Sequence, residues 1–128
     1  MREMDWDTLL FFDAHPDALP LLQALEDALF ARFPETKKRV QKTQITYYHR
    51  HVFACVSFAR VRRRAELPET WLTLTLGLPY PLDSPRAAGK TEVYPGRWTT
   101  HLVLGAAEDV DEELLRWLDE AYDFSERK

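Results

Sequence analysis

Six consecutive residues, Trp71-Leu72-Thr73-Leu74-Thr75-Leu76, alternate without a break between leucine and a hydroxyl or aromatic side chain. Successive side chains of an extended chain point to opposite faces. The stretch is therefore predicted to be a β-strand, with Leu72, Leu74 and Leu76 on one face and Trp71, Thr73 and Thr75 on the other. Such a strand is not stable alone. It needs neighbours for its backbone hydrogen bonds and a second layer over its leucines. The chain is thereby constrained to a sheet covered on one side and left to water or a ligand on the other.

The remaining periodicity supplies both requirements. Gln44 to Tyr48 alternates and is rich in β-branched and aromatic residues. Lys37 to Thr43 can begin a strand ahead of it, without a clear alternation. Val52 to Val61 is apolar at both parities, as in a central strand, and His49-Arg50-His51 is the hairpin connection before it. Three prolines between Gly77 and Pro85 make a stiff loop. Lys90 to Tyr94 reads as a short edge strand and Arg97 to Leu104 as a longer one, with Pro95-Gly96 turning between them and Gly105 ending the sheet.

Helical spacing flanks these strands. Asp5 to Asp13 reads as a short helix or turn that lays Leu9, Leu10 and Phe12 on the core. Leu19, Leu22, Leu25, Leu29 and Phe33 recur at threes and fours, with Pro16 near the start, Pro34 at the end, and Asp17, Gln23, Glu26, Asp27 and Arg32 on the outer face. Near the C-terminus, Asp109 followed by Glu112 is a capping-box pattern, and Val110, Leu114, Trp117, Leu118, Ala121 and Tyr122 form a stripe. The expected fold class is α+β: an antiparallel sheet of about five strands with N- and C-terminal helices packed on one face. At 128 residues, 1–128 is expected to be a single domain.

Composition narrows the classes. The chain is 45% hydrophobic and 30% charged, which suits a folded core rather than disorder. No apolar run approaches the roughly 20 residues that cross a bilayer. The first residues, Met1 to Asp5, contain no signal-peptide core, and the single cysteine excludes an internal disulfide, so a cytoplasmic protein is expected. Cys55 lies in an apolar strand and reads as a small core residue.

The net charge of −4 conceals a division. Residues 1–35 carry two Lys/Arg and eight Asp/Glu, residues 36–104 carry twelve and four, and residues 105–128 carry three and nine. A basic middle thus separates two acidic ends. Overall acidity argues against non-specific adhesion to nucleic acid, but it leaves room for a local basic surface.

That surface is expected on the open sheet face. Gln44, Thr46 and Tyr48 share one face of their strand, Thr73 and Thr75 another, Thr99 and His101 a third, with Ser57 among them. Lys42, Arg60, Arg86, Lys90 and Arg97 would supply charge there, while Gln44, Tyr94, Trp98 and His101 would stack and hydrogen-bond. The competing expectation is an ordinary solvated face whose charges offset one another.

Four segments, Lys42-Thr43-Gln44-Ile45, Phe53 to Phe58, Pro81 to Arg86 and Lys90 to Thr99, resemble a bacterial family known only as a domain of unknown function of the 5655 type. The resemblance covers most of residues 8–124, and KTEVYPGRWTTH is its most specific part. The family is distantly similar to small YdhG-type domains, some of them frataxin-like with a helix–sheet–helix order. That agrees with the order read from periodicity and implies no activity.

Catalytic signals are weak. The four glycines, at 77, 89, 96 and 105, form no phosphate-binding loop, and Ser57 and Ser84 lack a nucleophile elbow. His49 and His51 are two apart, a spacing that can bind metal but is common. The carboxylates Glu3, Asp5 and Asp7, and those from Glu108 to Glu113, read as caps and solubilising charge. No cofactor, metal site or catalytic residue is expected. The expected function is a binding module for an anionic ligand, whether nucleotide, nucleic acid or acidic peptide. The alternative is a frataxin-like metal-handling protein or a small enzyme using carboxylates or His49 and His51.

Overall fold

The computed structural model describes residues 5–127, without the side chain of Arg64. Met1 to Met4, and with them Glu3 of the first carboxylate group, lie outside the described residues. The elements are α1 (Trp6–Phe11), α2 (Leu19–Arg32), β1 (Lys37–Val40), β2 (Gln44–Tyr48), β3 (Val52–Ser57), β4 (Leu72–Leu78), β5 (Ala87–Tyr94), β6 (Arg97–Leu104) and α3 (Glu112–Glu126). The fold is α+β, as periodicity predicts. The sheet has six strands rather than about five, in the order β1-β2-β3-β4-β6-β5, with every neighbouring pair antiparallel. The additional strand is the basic segment Lys37–Val40 at one edge.

The strand order explains the proline-rich loop. The β5–β6 hairpin turns at Pro95-Gly96, where Gly96 takes a φ of 77°, a conformation that favours glycine. Because β6 rather than β5 pairs with β4, the chain leaving β4 must pass the place of β6 before starting the edge strand. The loop does so with Leu82 buried beneath it. At the far end of β6, Gly105 sits against Pro68, so close that a Cβ there would lie 2.6 Å from the proline ring.

Both long helices cover one face. Leu72, Leu74, Leu76 and Leu78 of β4 join Ile45, Val56, Leu102 and Leu104 in one core with Leu22, Leu25 and Leu29 of α2 and Leu114 and Leu118 of α3. α3 lies against β3 and β4. α2 is tied to α3 by Arg32, which meets Asp119 through two hydrogen bonds of 2.9 and 3.0 Å, and by Phe33 stacked on Tyr122 at 4.1 Å.

Three expectations about the helices are corrected. Leu9 and Leu10 do not enter the core: they are 41% and 55% exposed, whereas Phe12 just beyond α1 is 1% exposed. The short helix instead buries Thr8, whose amide and hydroxyl both donate to the N-cap Asp5 at 2.7 Å. Glu26, expected outside, is fully buried on α2. It is tolerated there because Tyr47 donates to Oε2 at 2.5 Å and the Lys38 ammonium lies 2.9 Å away. Finally, Asp111 and not Asp109 caps α3, accepting from the Leu114 amide at 3.0 Å. Asp109 sits in a preceding 3-10 turn and accepts from the amides of Gly105 and Ala106. Among the described residues no helix is long and apolar enough to cross a membrane.

Candidate functional site

Antiparallel pairing places alternate residues of adjacent strands side by side, so the polar half of each strand lines up with its neighbours. The pairs Arg39–Thr46, Thr46–Cys55, Cys55–Thr75, Thr75–His101 and His101–Gly89 run as one row across all six strands, on the side away from the helices. A second row runs Gln44–Ser57–Thr73–Val103, and a third Gly77–Thr99–Thr91. Arg97 follows the parity of Thr99 and His101 at the hairpin end.

The central row is hydrogen-bonded. Thr75 Oγ1 lies 2.9 Å from His101 Nδ1. Burial holds the His101 imidazole below its ordinary pKa of 6.5. Burial also pushes the Cys55 thiol up, opposed by a hydrogen bond with Thr75. Cys55 is therefore a correction: it is half-buried on the open side and not a core residue. Val52 to Ser57 is apolar at both parities, which hides the face to which the thiol belongs.

Charge divides with the layers. The open-face positions of the strands hold Lys37, Arg39 and Arg97 and no carboxylate. The one acid within the six strands is Glu92, which pairs with Trp98 on the helix side and accepts the Gly96 amide. Arg39 lies over the ring of Tyr48 at 5.0 Å, and Arg97 lies over Tyr94 at 5.3 Å while donating to its hydroxyl.

Two depressions open on this side. The larger, about 460 Å³, lies where β2 and β3 meet the end of α1 and is lined by Phe11, Phe58, Lys42, Thr43, Gln44 and Ser57. Phe11 stacks on Phe58 at 5.8 Å, and Phe58 in turn on His15 at 4.1 Å. The smaller, about 140 Å³, lies over Cys55, Thr75, Gly77, Thr99 and Arg97.

The nine residues expected at the site are thus divided. Lys42 and Gln44 line the larger depression. Arg97 and His101 are on the open face, with Tyr94 beside Arg97. Arg60 borders a separate hollow with His15 and Trp71. Arg86, Lys90 and Trp98 are not on the open face, which corrects that expectation. Trp98 pairs with Leu78 and shares its helix-covered side. Lys90, opposite Thr100, donates to the Leu82 carbonyl at 3.2 Å. Arg86 reaches Asp111, Glu113 and the Asp109 carbonyl at 2.8 to 3.1 Å and lies over Trp117, so it anchors the start of α3. Its hydrogen bonds hold the Asp111 carboxyl below the usual carboxylate range.

Arg39, Phe11, Phe58 and Thr43 were not among those nine. Parity with Thr46 is the signal that would have found Arg39, once Lys37–Val40 is taken as a paired strand. The aromatic pair is brought together by α1, whose short helix gives no long period to read. His49, weighed as a metal ligand with His51, lies 2.8 Å from Glu126 and 3.3 Å from Glu35, which joins the β2–β3 turn to the ends of both long helices. Among the described residues no group of three or more His, Cys, Asp or Glu side chains is arranged to hold a metal ion.

No curated protein and no solved structure matches the chain. A family model does match, over residues 10–125, a span that contains the sheet, α2 and nearly all of α3, and the chain accordingly belongs to the family described as a domain of unknown function, DUF5655.

Proposed function

We propose that this protein is a binding module that holds an anionic ligand on the open face of its sheet, without a reaction of its own. The observation that carries the reading is the charge of that face: Lys37, Arg39 and Arg97 with no carboxylate among the open-face strand positions. Lys42 adds a fourth cation at the mouth of the larger depression. Apart from Glu92, the acids of the described residues lie outside the strands, on helices, caps and loops, with Asp7 beside Lys42 and Glu69 beside Arg60. Hydroxyls of Thr43, Ser57, Thr75 and Thr99 supply neutral hydrogen bonds around the cations. A guanidinium held over an aromatic ring presents its fork in a fixed orientation, which suits phosphate or carboxylate.

The test is binding of inorganic phosphate and pyrophosphate, followed by thermal shift and calorimetry. A ligand that prefers the folded state raises the melting temperature with the logarithm of its concentration over its dissociation constant. Arg97→Ala is expected to melt within a few degrees of the parent, since its described partner is the exposed Tyr94. It should weaken pyrophosphate binding about tenfold, as loss of a charged hydrogen bond does. Absence of saturable binding by either anion, or an Arg97→Ala variant that unfolds readily while binding normally, defeats the reading.

A further inference from the structure

The larger depression has a composition that a bare anion does not use. A site for phosphate alone needs donors and positive charge. This one adds an apolar wall formed by the stacked rings of Phe11 and Phe58. Its volume of about 460 Å³ is also in the range of small-molecule sites, roughly 300 to 1,000 Å³.

Phe11 and Lys42 occupy a particular place. Both line this depression and also a neighbouring one of about 320 Å³ with Asp7, Leu10, Val40 and Gln41. An aromatic ring and an ammonium therefore stand on the divide between two hollows. Phe11 is only half-buried. Gln44 and Ser57 are direct partners across β2 and β3, so an amide and a hydroxyl are fixed side by side. The Gln44 amide nitrogen lies 3.3 Å from both Gln41 Oε1 and Thr46 Oγ1, which orients the side chain. Ser57 Oγ accepts from the Ala59 amide at 3.3 Å, leaving its proton to donate elsewhere.

We infer that this depression takes a planar ring joined to a phosphate, the chemistry of a nucleoside monophosphate. The ring lies against the Phe11–Phe58 wall, the phosphate is held by Lys42 and Thr43, and Gln44 and Ser57 hydrogen-bond to the atoms between. Stacking on aromatic side chains does not depend on which base is offered, so discrimination between bases is expected to be slight. The inference rests on the anion-binding reading and names the ligand class for the depression beside Lys42.

Calorimetry with four probes decides it: adenosine monophosphate, ribose phosphate, phenyl phosphate and a short single-stranded oligonucleotide. Adenosine monophosphate should bind about tenfold or more tightly than ribose phosphate, the increment that base–aromatic stacking supplies. Phe11→Leu keeps the apolar packing and removes the ring. It should melt close to the parent, erase the preference for adenosine monophosphate, and leave ribose phosphate unchanged. Lys42→Ala should weaken both phosphates together, about tenfold. If Phe11→Leu unfolds, the preference of the unaltered protein for adenosine monophosphate over ribose phosphate decides alone. Phenyl phosphate binding as well as adenosine monophosphate supports the shared chemistry and shows that the sugar is dispensable. Equal binding of ribose phosphate and adenosine monophosphate overturns the ring while leaving the anion site intact. An oligonucleotide that binds more tightly than adenosine monophosphate, with a steep dependence on salt, overturns the small ligand in favour of a polymer. No binding by any of the four probes overturns the inference, while saturable pyrophosphate binding in the same protein keeps the anion-binding reading.

Discussion

Leu74 and Thr75 are neighbours in one strand, yet they belong to surfaces with opposite demands. Leu74 is fully buried among the leucines of the helix-covered face. Thr75 is half-buried on the open face, hydrogen-bonded to His101. The two faces share every backbone bond of β4 and differ only in parity. What separates them is cover: α2 and α3 lie over one face, while the other carries the end of α1 and the chain following β3, whose Ala59 carbonyl accepts from Thr73 at 2.8 Å. A covered face is held by apolar area and is intolerant of lost volume. An open face is held by hydrogen bonds whose partners water can replace. Its side chains are accordingly free to be chosen for what they bind.

The largest effect should come from testing that difference directly. Leu74→Ala is expected to cost about 2–5 kcal/mol, because the helices cannot collapse into the vacated volume. Thr75→Val, one residue away and nearly the same size, removes the hydrogen bonds to His101 and Cys55 and should cost about 0.5–1.5 kcal/mol for each. Denaturant melts of the two variants measure both. Equal costs would mean that the open face is part of a second core.

A polar intrusion into the covered face gives the next effect. Tyr47→Phe removes the hydroxyl that donates to the buried Glu26 carboxylate at 2.5 Å. A hydrogen bond to a charged group typically contributes about 1.5–3 kcal/mol, and Lys38 at 2.9 Å remains to stabilise the carboxylate. The expected cost in a denaturant melt lies in that range. A variant as stable as the parent would show that the carboxylate is held without the Tyr47 hydroxyl.

Smaller again is the anchor at the start of α3. Arg86→Ala should cost about 1 kcal/mol at neutral pH, since its partners Asp111 and Glu113 are largely exposed and screened by solvent. The sign of the pH dependence follows from Asp111, whose folded pKa is lowered from 3.8 chiefly by the Arg86 hydrogen bond. A carboxyl with a depressed folded pKa contributes stability above its unfolded pKa and loses it as pH falls through the folded value. The difference between Arg86→Ala and the parent should therefore shrink once the pH drops below about 4. Melts at pH 7 and pH 3 test it, and a difference that stays constant would assign the effect to packing on Trp117.

Most of the covered face was legible in the sequence, because burial imposes a period. The leucines of β4, the stripe Leu114 to Tyr122 and the alternation of Gln44 to Tyr48 each announce which side is inward. The open face was legible only in part. Thr75 and His101 follow from parity, but Cys55 sits in a segment with apolar residues at every position. Arg86, Lys90 and Trp98 lie in or beside a strand whose pairing includes bulges at Ala87–Gly89 and Glu92–Tyr94. Each bulge inserts a residue and shifts the parity, so counting alternate positions back from the Pro95-Gly96 turn puts Lys90 on the wrong side, whereas Trp98 is opposite Thr99 and His101 by the unbroken parity of β6 and Arg86 precedes the strand. Glu26 was misplaced for a different reason. A helical period puts a carboxylate outside by default, and the phenol that compensates its burial comes from 21 residues away.

His101 offers the finest test of how open the uncovered face is. Its imidazole is held below 6.5 by burial, which disfavours the charged ring. Through the window just below pH 6.5 the unfolded chain thus binds more protons than the folded one at this site. Stability contributed by the neutral ring is present above 6.5 and declines as pH falls through the folded value. His101→Gln should flatten that part of the stability profile, and nuclear magnetic resonance should place the imidazole midpoint below 6.5. A bound anion acts in the opposite direction, since a nearby negative charge favours the protonated ring. Saturating pyrophosphate is therefore expected to move the midpoint upward if the anion sits at Arg97, four residues before His101 on the same face of β6. A midpoint that does not move while pyrophosphate binds would place the anion in the larger depression beside Lys42, at the other end of the face.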